Sequence, residues 1–374
     1  MKIKLNIVFL LVLLMPAMLF AQRFAIISDI HGQTAATADV SILVKNWDPE
    51  FIICAGDNHY GFGSNLDDQV GQYYHDYICP YYGVHGPGDT INRYFSALGN
   101  HDLENGAIVN YLDFFTFPGN ERYYDFVKGN IHFFFVNSNP DEPDGISDSS
   151  VQAAWLQSRL ATSISSYNLV IFHHPPYSAG HHGCTPYMRW PLLQWGATTV
   201  FSGHNHSYQR ILLNDFVYFV CPSGGGYVYP YSEPVAGTQF YDIINCGAIL
   251  IEATIDSMSI KFKNTSDSLI DHYTIYAPIT HLQENKGLAP MDIHIYPNPA
   301  RKNIFLEITN STSPLEIILY DIFGRMILKK NAGGNNMADV IYQDINVSEL
   351  PNGLYVLHIQ NKNSSFCKKI IIDN

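Results

Sequence analysis

Five short segments of the chain end in side chains of the kinds that bind metal ions. Carboxylate and imidazole groups are common protein ligands of zinc, iron and manganese. One such segment would carry little information, whereas five in series predict a hydrolytic site with two metal ions. In chain order the segments are Asp29-Ile30-His31, Gly56-Asp57-Asn58-His59-Tyr60, Gly99-Asn100-His101-Asp102, His173-His174-Pro175-Pro176 and Gly203-His204-Asn205-His206.

Most of these segments directly follow a run of β-branched or aromatic residues, which is typical of a buried strand. Parallel strands of one sheet end at the same edge, so ligands placed just after them meet there. The sequence therefore predicts that a packed sheet presents the ligands together at one rim. The runs are residues 24–27, 51–54, 169–172 and 198–201.

Helix and strand signals alternate from residue 23 to about residue 277. Residues 34–47 and 149–163 predict helices, from their polar starts and apolar stripes. Residues 131–136 and 216–220 predict strands, and Lys128-Gly129-Asn130 predicts a hairpin turn before the first of them. Beyond Asp215 only short strands are indicated. This order predicts an α/β fold, a four-layer α/β/β/α sandwich with the metal ions at the carboxyl ends of its strands.

Residues 1–21 predict a secretory signal peptide. Two lysines precede a continuous apolar stretch at residues 7–14, and Ala21 offers a small residue before a cut ahead of Gln22. The stretch is short for a membrane-spanning helix, although an uncleaved N-terminal anchor stays the alternative. The protein is therefore predicted to be exported, to the medium or the cell surface, with no transmembrane anchor.

The amino-acid composition and net charge restrict the kinds of molecule that the protein could bind. The chain has 374 residues, of which 47% are hydrophobic and 15% charged, as expected for a folded protein of about two domains. Its formal net charge of −13 argues against a nucleic acid or an anionic membrane as partner, since both favour a basic surface. Six cysteines lie far apart without a CxxC pair, so export permits disulfides but no pairing follows from the sequence.

A second domain is predicted near the C-terminus. Residues 279–290 show no periodicity and are interpreted as a linker, while residues 291–374 indicate short strands separated by turn residues. About seven strands in roughly 80 residues suit a small β-sandwich. No cluster of metal-binding side chains lies in this sequence, so catalysis is assigned to residues 22–278. The strand-like runs are 293–295, 304–308, 315–320, 326–329, 354–359 and 368–372.

The ligand segments resemble those of the metallophosphoesterase (calcineurin-like) superfamily and, within it, the purple acid phosphatases. The resemblance covers about residues 24–277. Gly99-Asn100-His101-Asp102 and Gly203-His204-Asn205-His206 match superfamily motifs, and Asp57 followed by Tyr60 matches purple acid phosphatases. The resemblance implies the sandwich fold above and the hydrolysis of phosphate esters, which react extremely slowly in water.

The C-terminal sequence looks like a type IX secretion system sorting domain. The matching motifs are Tyr296-Pro297-Asn298-Pro299, Phe323-Gly324-Arg325 and Pro351-Asn352-Gly353-Leu354-Tyr355. The resemblance implies type IX secretion machinery as a partner and export across the outer membrane of Bacteroidetes-like bacteria. A carbohydrate-binding or adhesive β-module is the alternative.

The resemblance to purple acid phosphatases also implies two metal ions, Fe together with Zn, Mn or a second Fe. Asp57 is the expected bridge. Two cations roughly 3.5–4 Å apart lower the pKa of a bound water to about 7 and neutralise phosphate oxygens. The implied ligands are Asp29, Asp57, Tyr60 and His206 for the first ion and Asp57, Asn100, His173 and His204 for the second.

His31 and Tyr60 compete for one position in that set. Purple acid phosphatases have glycine where this chain has His31, and use the tyrosine as a ligand. Other metallophosphoesterases use the histidine and lack the tyrosine. Tyr60 as a ligand favours Fe(III) and a purple colour, whereas His31 as a ligand suits divalent Mn, Fe or Zn. Both assignments stay open on the sequence.

The same resemblance gives further histidines catalytic roles. His101 is expected to contact the phosphate, and His181 and His182 to stabilise it and protonate the leaving oxygen, with His182 as the preferred donor. His174 is expected to pack or to support a ligand. For Gly224-Gly225-Gly226, a close approach to the pocket and a plain turn both stay open.

The function predicted from these features is that of an exported acid phosphatase. It would hydrolyse phosphate monoesters of small molecules through a metal-bound hydroxide. A phosphodiesterase acting on cyclic nucleotides or nucleotide-type substrates could use the same site. A non-catalytic surface-binding protein with the same fold is the alternative from another class.

Overall fold

The computed structural model describes residues 22–32, 34–60, 65–230, 233–277, 292–309, 314–321, 325–333, 340–361 and 365–373. The predicted signal peptide and the predicted linker lie outside the described residues. The strands before residue 278 are β1 (Gln22–Ile27), β2 (Ile52–Cys54), β3 (Tyr94–Ser96), β4 (Tyr124–Lys128), β5 (Ile131–Phe135), β6 (Tyr167–Ile171), β7 (Thr199–Ser202), β8 (Tyr208–Leu213), β9 (Phe216–Val220), β10 (Thr238–Asp242), β11 (Gly247–Ala253), β12 (Ser257–Asn264) and β13 (Leu269–Tyr276).

These strands form two mixed sheets. The first has the order β13-β12-β11-β1-β2-β3, and the second has the order β10-β8-β9-β7-β6-β5-β4. Strands β1, β2 and β3 run parallel to one another, as do β5, β6, β7 and β9. The carboxyl ends of the parallel strands of each sheet therefore lie at a common edge, where the ligand segments follow β1, β2, β6 and β7.

Alternating side chains of β5 show how the layers are built. Phe133 and Phe135 belong to the core that also holds Phe24 of β1, so they lie between the two sheets. Phe134 points the other way and packs with Leu156, on the outer side of the second sheet. Such a strand is buried on both faces, which explains its uninterrupted apolar sequence.

Helices cover the outer faces. The helices are α1 (Ala35–Asn46), α2 (Gln72–Tyr74), α3 (Ile108–Phe114), α4 (Val151–Ala161) and α5 (Leu192–Trp195). Helix α1 packs on β11, and α4 packs against the outer side of the second sheet. The two predicted long helices are confirmed, and each begins at a hydroxyl cap: Thr34 Oγ1 accepts from Thr37 N at 3.0 Å, and Ser150 Oγ accepts from Ala153 N at 3.2 Å. The predicted α/β class is confirmed.

The region after residue 291 is all β, as predicted. Its strands are β14 (Asp292–Tyr296), β15 (Asn303–Thr309), β16 (Leu315–Asp321), β17 (Met326–Ala332), β18 (Val340–Asn346), β19 (Gly353–Gln360) and β20 (Ser365–Ile372). They form sheets of order β14-β15-β18 and β17-β16-β19-β20. Leu306 of the first sheet and Leu319 and Leu357 of the second share one apolar core, so the two sheets pack face to face.

Strands β3, β8 and β18 escaped the sequence analysis, and two of them, β3 and β18, show why. Strand β3 has three residues, too few for a period to show. Strand β18 mixes apolar and polar residues without alternation, and Ile345 is its one buried residue. Both are strands because their neighbours offer hydrogen bonds, β2 to β3 and β15 to β18. Among the described residues, no helix has the length and apolar character needed to cross a membrane.

A buried ionic cluster joins α4 to the edge of the second sheet. Asp125 accepts hydrogen bonds from Arg159 Nη2 and His132 Nε2, each at 2.6 Å. Burial alone would raise the pKa of Asp125, but the hydrogen bonds from His132 and Arg159 hold it below its ordinary value of 3.8. A carboxyl with a lowered pKa stabilises the fold above its ordinary pKa, and this contribution is lost as the pH falls below that value.

The substitution Asp125→Asn should lower the free energy of unfolding by about 1–2 kcal/mol at neutral pH, because it removes charged hydrogen bonds. Arg159 is half exposed, which favours the lower part of that range. Denaturant unfolding from pH 7 downwards should show the deficit persisting to about pH 4 and shrinking below 3.8. The exposed Asp39 of α1 supplies the control Asp39→Asn. An unchanged stability of Asp125→Asn at pH 7 would contradict the prediction.

Candidate metal centre

The ligand segments meet because both sheets end at one rim. Backbone hydrogen bonds join neighbouring segments within each sheet: Asp29 N donates to Gly56 O at 3.0 Å, and Gly203 N donates to His173 O at 2.9 Å. Between the sheets, His204 N lies 3.1 Å from both carboxylate oxygens of Asp29. The structure thus brings segments that are up to about 175 residues apart in sequence into direct contact.

Four of the predicted ligands have left-handed backbone conformations. Their φ angles are 53° at Asp29, 55° at Asp57, 71° at His204 and 48° at His206. Aspartate and histidine tolerate this region better than most residues, but it is uncommon outside glycine. Such conformations cluster at functional sites, where the surrounding structure holds them in place. Here they let each turn leave its strand sharply and direct the side chain to the rim.

One group of donor atoms consists of Asp57, His173 and His204, whose candidate ligand atoms all lie within 4.8 Å of one another. His173 Nδ1 lies 2.9 Å from Ala55 O, a contact that assigns the proton to Nδ1 and leaves Nε2 free to coordinate. Nε2 lies 3.2 Å from Asp57 Oδ2. Asp57 and His173 are fully buried. The group has the donor chemistry of a transition-metal site.

Two of the expected ligand atoms are buried without a hydrogen bond within the described part of the chain. They are His173 Nε2 and Asn100 Oδ1. A buried polar atom without a partner is costly, and native proteins leave few of them unexplained. A cation bound by Asp57, His173, His204 and Asn100 would satisfy both atoms. The residues present therefore fit a metal ion.

A second group consists of Asp29, Tyr60 and His206. Tyr60 Oη lies 2.9 Å from His206 Nε2 and 3.3 Å from Asp29 Oδ1, and His206 Nε2 lies 3.3 Å from the same carboxylate oxygen. His206 Nδ1 lies 2.7 Å from Tyr227 O, which fixes the ring with Nε2 inward. Ser28 Oγ donates to Asp29 Oδ2 at 2.6 Å. These three donor atoms converge on one point.

His31 lies against Tyr60 rather than among the donor atoms of that group. The two rings have centroids 4.3 Å apart with a tilt of 32°. Burial and the neighbouring His206 lower the pKa of His31, so its imidazole is neutral. The tyrosine oxygen, not the histidine ring, contacts both Asp29 and His206 in the structure.

The protonation of the donor groups follows from their burial and their neighbours. Burial alone would lower the pKa of His173, but the Asp57 carboxylate raises it to about 9. Burial and the neighbouring His173 lower the pKa of His204 to about 3. Burial, together with the carboxylates of Asp57 and Asp29, raises the pKa of Tyr60. A proton on His173 occupies the position that a cation would take, since metal binding requires the neutral imidazole.

Asp102 is a buried carboxylate that holds two ligand segments together. It accepts hydrogen bonds from Asp57 N at 3.0 Å, Gly99 N at 2.9 Å and Asn58 N at 2.9 Å, and from Asn58 Nδ2 at 3.1 Å. Burial, followed by repulsion from Asp57, raises the pKa of Asp102 to about 7. A Cβ on Gly99 would lie 2.0 Å from Asp57 Oδ1, so the segments pack in a way that only glycine permits.

The predicted catalytic histidines border the donor groups. His101 N donates to Asp57 Oδ1 at 2.9 Å, and the His101 ring lies 4.2 Å from the Tyr60 ring. The His182 ring lies 4.5 Å from the His204 ring, and His181 lies beside His182 at 5.2 Å. Burial and the neighbouring His181 lower the pKa of His182. His174 is buried with its ring 4.6 Å from the His204 ring, so it packs against a candidate ligand.

The sequence analysis missed Tyr229 and Asn205, which border the donor groups, and Tyr227, whose carbonyl oxygen lies 2.7 Å from His206 Nδ1. The Tyr229 ring lies 4.6 Å from His206, 4.9 Å from His182 and 5.4 Å from His181. Asn205 Oδ1 accepts from His182 N at 2.8 Å and so holds the segment of the expected proton donor. The signal for Tyr229 is the Tyr-Val-Tyr sequence directly after the glycine run. That run approaches closely, because a Cβ on Gly226 would lie 2.8 Å from the His206 ring.

Two family models match the chain. The calcineurin-like phosphoesterase model matches residues 22–208, which is half of the chain. The chain belongs to the calcineurin-like phosphoesterase family. A second model, the secretion system C-terminal sorting domain, matches residues 294–373. Both resemblances inferred from the sequence are thus confirmed, and a sorting domain implies secretion or a position at the cell surface.

Relatives of this calcineurin-like phosphoesterase include acid phosphatases. It is 30% identical over 103 residues to tartrate-resistant acid phosphatase type 5 of Oryctolagus cuniculus, covering 26% of this chain and 32% of that one. It is 29% identical over 224 residues to purple acid phosphatase 15 of Arabidopsis thaliana, covering 50% of this chain and 40% of that one. The chain thus spans about a third to two fifths of the length of these relatives. Its similarity to them makes it purple acid phosphatase-like.

A solved structure shares the fold. GAP50, the anchor in the inner membrane complex of Plasmodium, superposes with a TM-score of 0.56 at 20% identity, covering 69% of this chain and 89% of that chain. At this identity the likeness shows the fold, which is the metallophosphoesterase sandwich described above.

The substitution Asp102→Asn should weaken the metal centre without touching a donor atom. An amide in place of the carboxylate turns an N–H group towards backbone N–H donors, and a buried donor without an acceptor costs about 1–3 kcal/mol. We expect a lower melting temperature and a lower metal content in the purified protein. The exposed Asp113 of α3 supplies the control Asp113→Asn. Unchanged stability and metal content in Asp102→Asn would contradict the role given to this carboxylate.

Proposed function

We propose that the protein is an exported acid phosphatase that hydrolyses phosphate monoesters with two metal ions. The observation that carries the proposal is the group of donor atoms from Asp57, His173 and His204, within 4.8 Å of one another, together with two buried atoms, His173 Nε2 and Asn100 Oδ1, that lack a hydrogen bond in the described residues. A cation would satisfy both. Membership of the calcineurin-like phosphoesterase family and the acid phosphatase relatives support the same reaction class.

In this proposal Asp57 bridges the two ions. Asp57 Oδ2 faces His173 of one donor group. The Asp57 carboxylate also helps to raise the pKa of the Tyr60 hydroxyl, which belongs to the other donor group. Bound there, two cations would acidify a water molecule and neutralise the phosphate oxygens. The proposed ligands are Asp29, Asp57, Tyr60 and His206 for the first ion and Asp57, Asn100, His173 and His204 for the second.

Tyr60 is the proposed ligand in place of His31. Its oxygen contacts both Asp29 and His206, whereas the His31 ring packs on the outer side of Tyr60. Burial and two carboxylates raise the pKa of this tyrosine, and a strongly charged cation such as Fe(III) would counteract them and favour its ionised form. We infer an iron ion at the first position.

The remaining roles belong to side chains at the border of the site. His101 is held by its backbone bond to Asp57 and would contact the phosphate. His182, whose segment Asn205 holds, would donate a proton to the departing alcohol oxygen, with His181 beside it. An alcohol leaves far more easily than an alkoxide, which is why the reaction needs a donor.

Export is supported from both ends of the chain. The sorting domain at residues 294–373 points to type IX secretion machinery as a partner, and the sequence of residues 1–21 predicts a signal peptide. We propose that the enzyme releases phosphate from small organic esters at the cell surface or in the medium.

The reaction class is tested by comparing 4-nitrophenyl phosphate with its bis-ester. We expect two metal ions per chain by elemental analysis and a higher kcat/KM on the monoester. The substitution Asp57→Asn should lower the monoester rate by more than roughly a hundredfold, since even changes next to a metal ligand cost about 10–100-fold. The exposed Asp141 supplies the control Asp141→Asn.

Each alternative outcome of that comparison has a defined meaning. A faster reaction on the bis-ester would identify a phosphodiesterase. A protein without two metal ions that hydrolyses neither ester would support a surface-binding role. Activity of Asp57→Asn at the level of the native protein would overturn the proposed centre.

The choice between Tyr60 and His31 is tested by colour and metal content together. The native protein with iron bound should show a visible absorption band, and Tyr60→Phe should lose both the band and part of its iron. His31→Gln should keep both, because His31 packs beside the donor group. A native protein that binds iron without a visible band, and that loses iron in His31→Gln but not in Tyr60→Phe, would make His31 the ligand.

A further inference from the structure

A row of aromatic rings leads from the donor atoms to the surface. The His101 and Tyr60 rings are 4.2 Å apart, Tyr60 and His31 are 4.3 Å apart, and His31 meets Tyr227 edge-on at 5.8 Å. At the outer end of this row Tyr227 is 78% exposed. A substrate whose phosphate reaches the donor atoms can therefore extend along these rings to the surface.

The backbone holds Tyr227 firmly beside the site. Its carbonyl oxygen lies 2.7 Å from His206 Nδ1, and the preceding glycine run is fixed where Gly224 N donates to Ser28 O at 2.7 Å. The exposed ring is thus connected through one hydrogen bond to a proposed ligand. A ring presented on fixed backbone can stack on a flat partner with little loss of conformational entropy.

We propose that Tyr227 is a specificity-determining residue that stacks on the base of nucleoside 5′-monophosphates, making these esters preferred substrates of the proposed phosphatase site. The inference rests on the proposed function. The phosphate would lie at the donor atoms next to Tyr60, and the base would lie over Tyr227 at the rim.

The spacing of the rings selects this class over simple aryl phosphates. A ring bonded directly to the ester oxygen would lie close to Tyr60 and His31, next to the donor atoms. The His31 ring lies between Tyr60 and Tyr227, with its centroid 4.3 Å from that of Tyr60 and 5.8 Å from that of Tyr227. A substrate therefore needs a spacer between its phosphate and its own ring to reach the exposed Tyr227. The ribose of a nucleotide is such a spacer.

The test compares adenosine 5′-monophosphate with ribose 5-phosphate, which has the same phosphate ester but no base. Base–aromatic stacking is lost when the aromatic side chain becomes alanine, so Tyr227→Ala should lower kcat/KM on the nucleotide by about tenfold. The loss should appear in KM, because a contact remote from the reacting atoms binds ground state and transition state alike. Ribose 5-phosphate and phenyl phosphate should react as in the native protein, and Tyr227→Phe should retain the nucleotide rate.

Two controls separate stacking from damage to the site. The inhibition constant of inorganic phosphate should be the same in Tyr227→Ala and the native protein. Tyr276 is also exposed, at 55%, but it pairs with Ser257 at the end of the first sheet where β1 begins, opposite the metal rim. Tyr276→Ala should therefore change none of the rates.

Three results would overturn the inference while leaving the proposed function intact. These are an unchanged nucleotide rate in Tyr227→Ala, an equal loss on ribose 5-phosphate, and a loss in Tyr227→Phe as large as in Tyr227→Ala. A native protein that hydrolyses none of the esters would instead overturn the proposed function, and this inference with it.

Discussion

Two carboxylates, Asp29 and Asp57, lie fully buried at the junction of two apolar sheets, and the rest of the site is arranged around this fact. A buried anion is unstable unless positive charge or hydrogen-bond donors surround it. Here backbone N–H groups of His204 and His101 and the imidazoles of His206 and His173 face the carboxylates. Two cations would complete the compensation, with the histidine rings and the asparagine oxygen beside the acids as their further ligands.

The same requirement explains the strained backbone and the packing around it. Left-handed conformations at Asp29, Asp57, His204 and His206 turn the chain sharply after β1, β2 and β7, so that their side chains meet at one rim. Asp102 holds the Asp57 and Gly99 segments together by accepting hydrogen bonds from their backbone N–H groups. The two segments pack so closely that a Cβ on Gly99 would clash with Asp57. The site therefore depends on groups that touch no substrate, and its geometry is fixed before any ligand binds.

The sequence predicted the long helices, most strands and the two-part organisation, because apolar periodicity and polar caps are local signals. It did not predict β3, β8 or β18, whose existence depends on hydrogen bonds from neighbouring strands. Among the candidate site residues, the order of the motifs led to the same segments that the fold brings together. The tyrosines at 227 and 229 escaped notice, since a ring near a glycine turn has no pattern that distinguishes a site from a loop.

The sequence by itself determined which side chains could bind metal, and that they follow strands, because residue type and strand periodicity are written along the chain. It left His31 and Tyr60 as competitors for one position. Tertiary structure placed the Tyr60 oxygen against Asp29 and His206 and the His31 ring on its outer side. That difference depends on contacts between segments about 146 residues apart, which no local pattern contains.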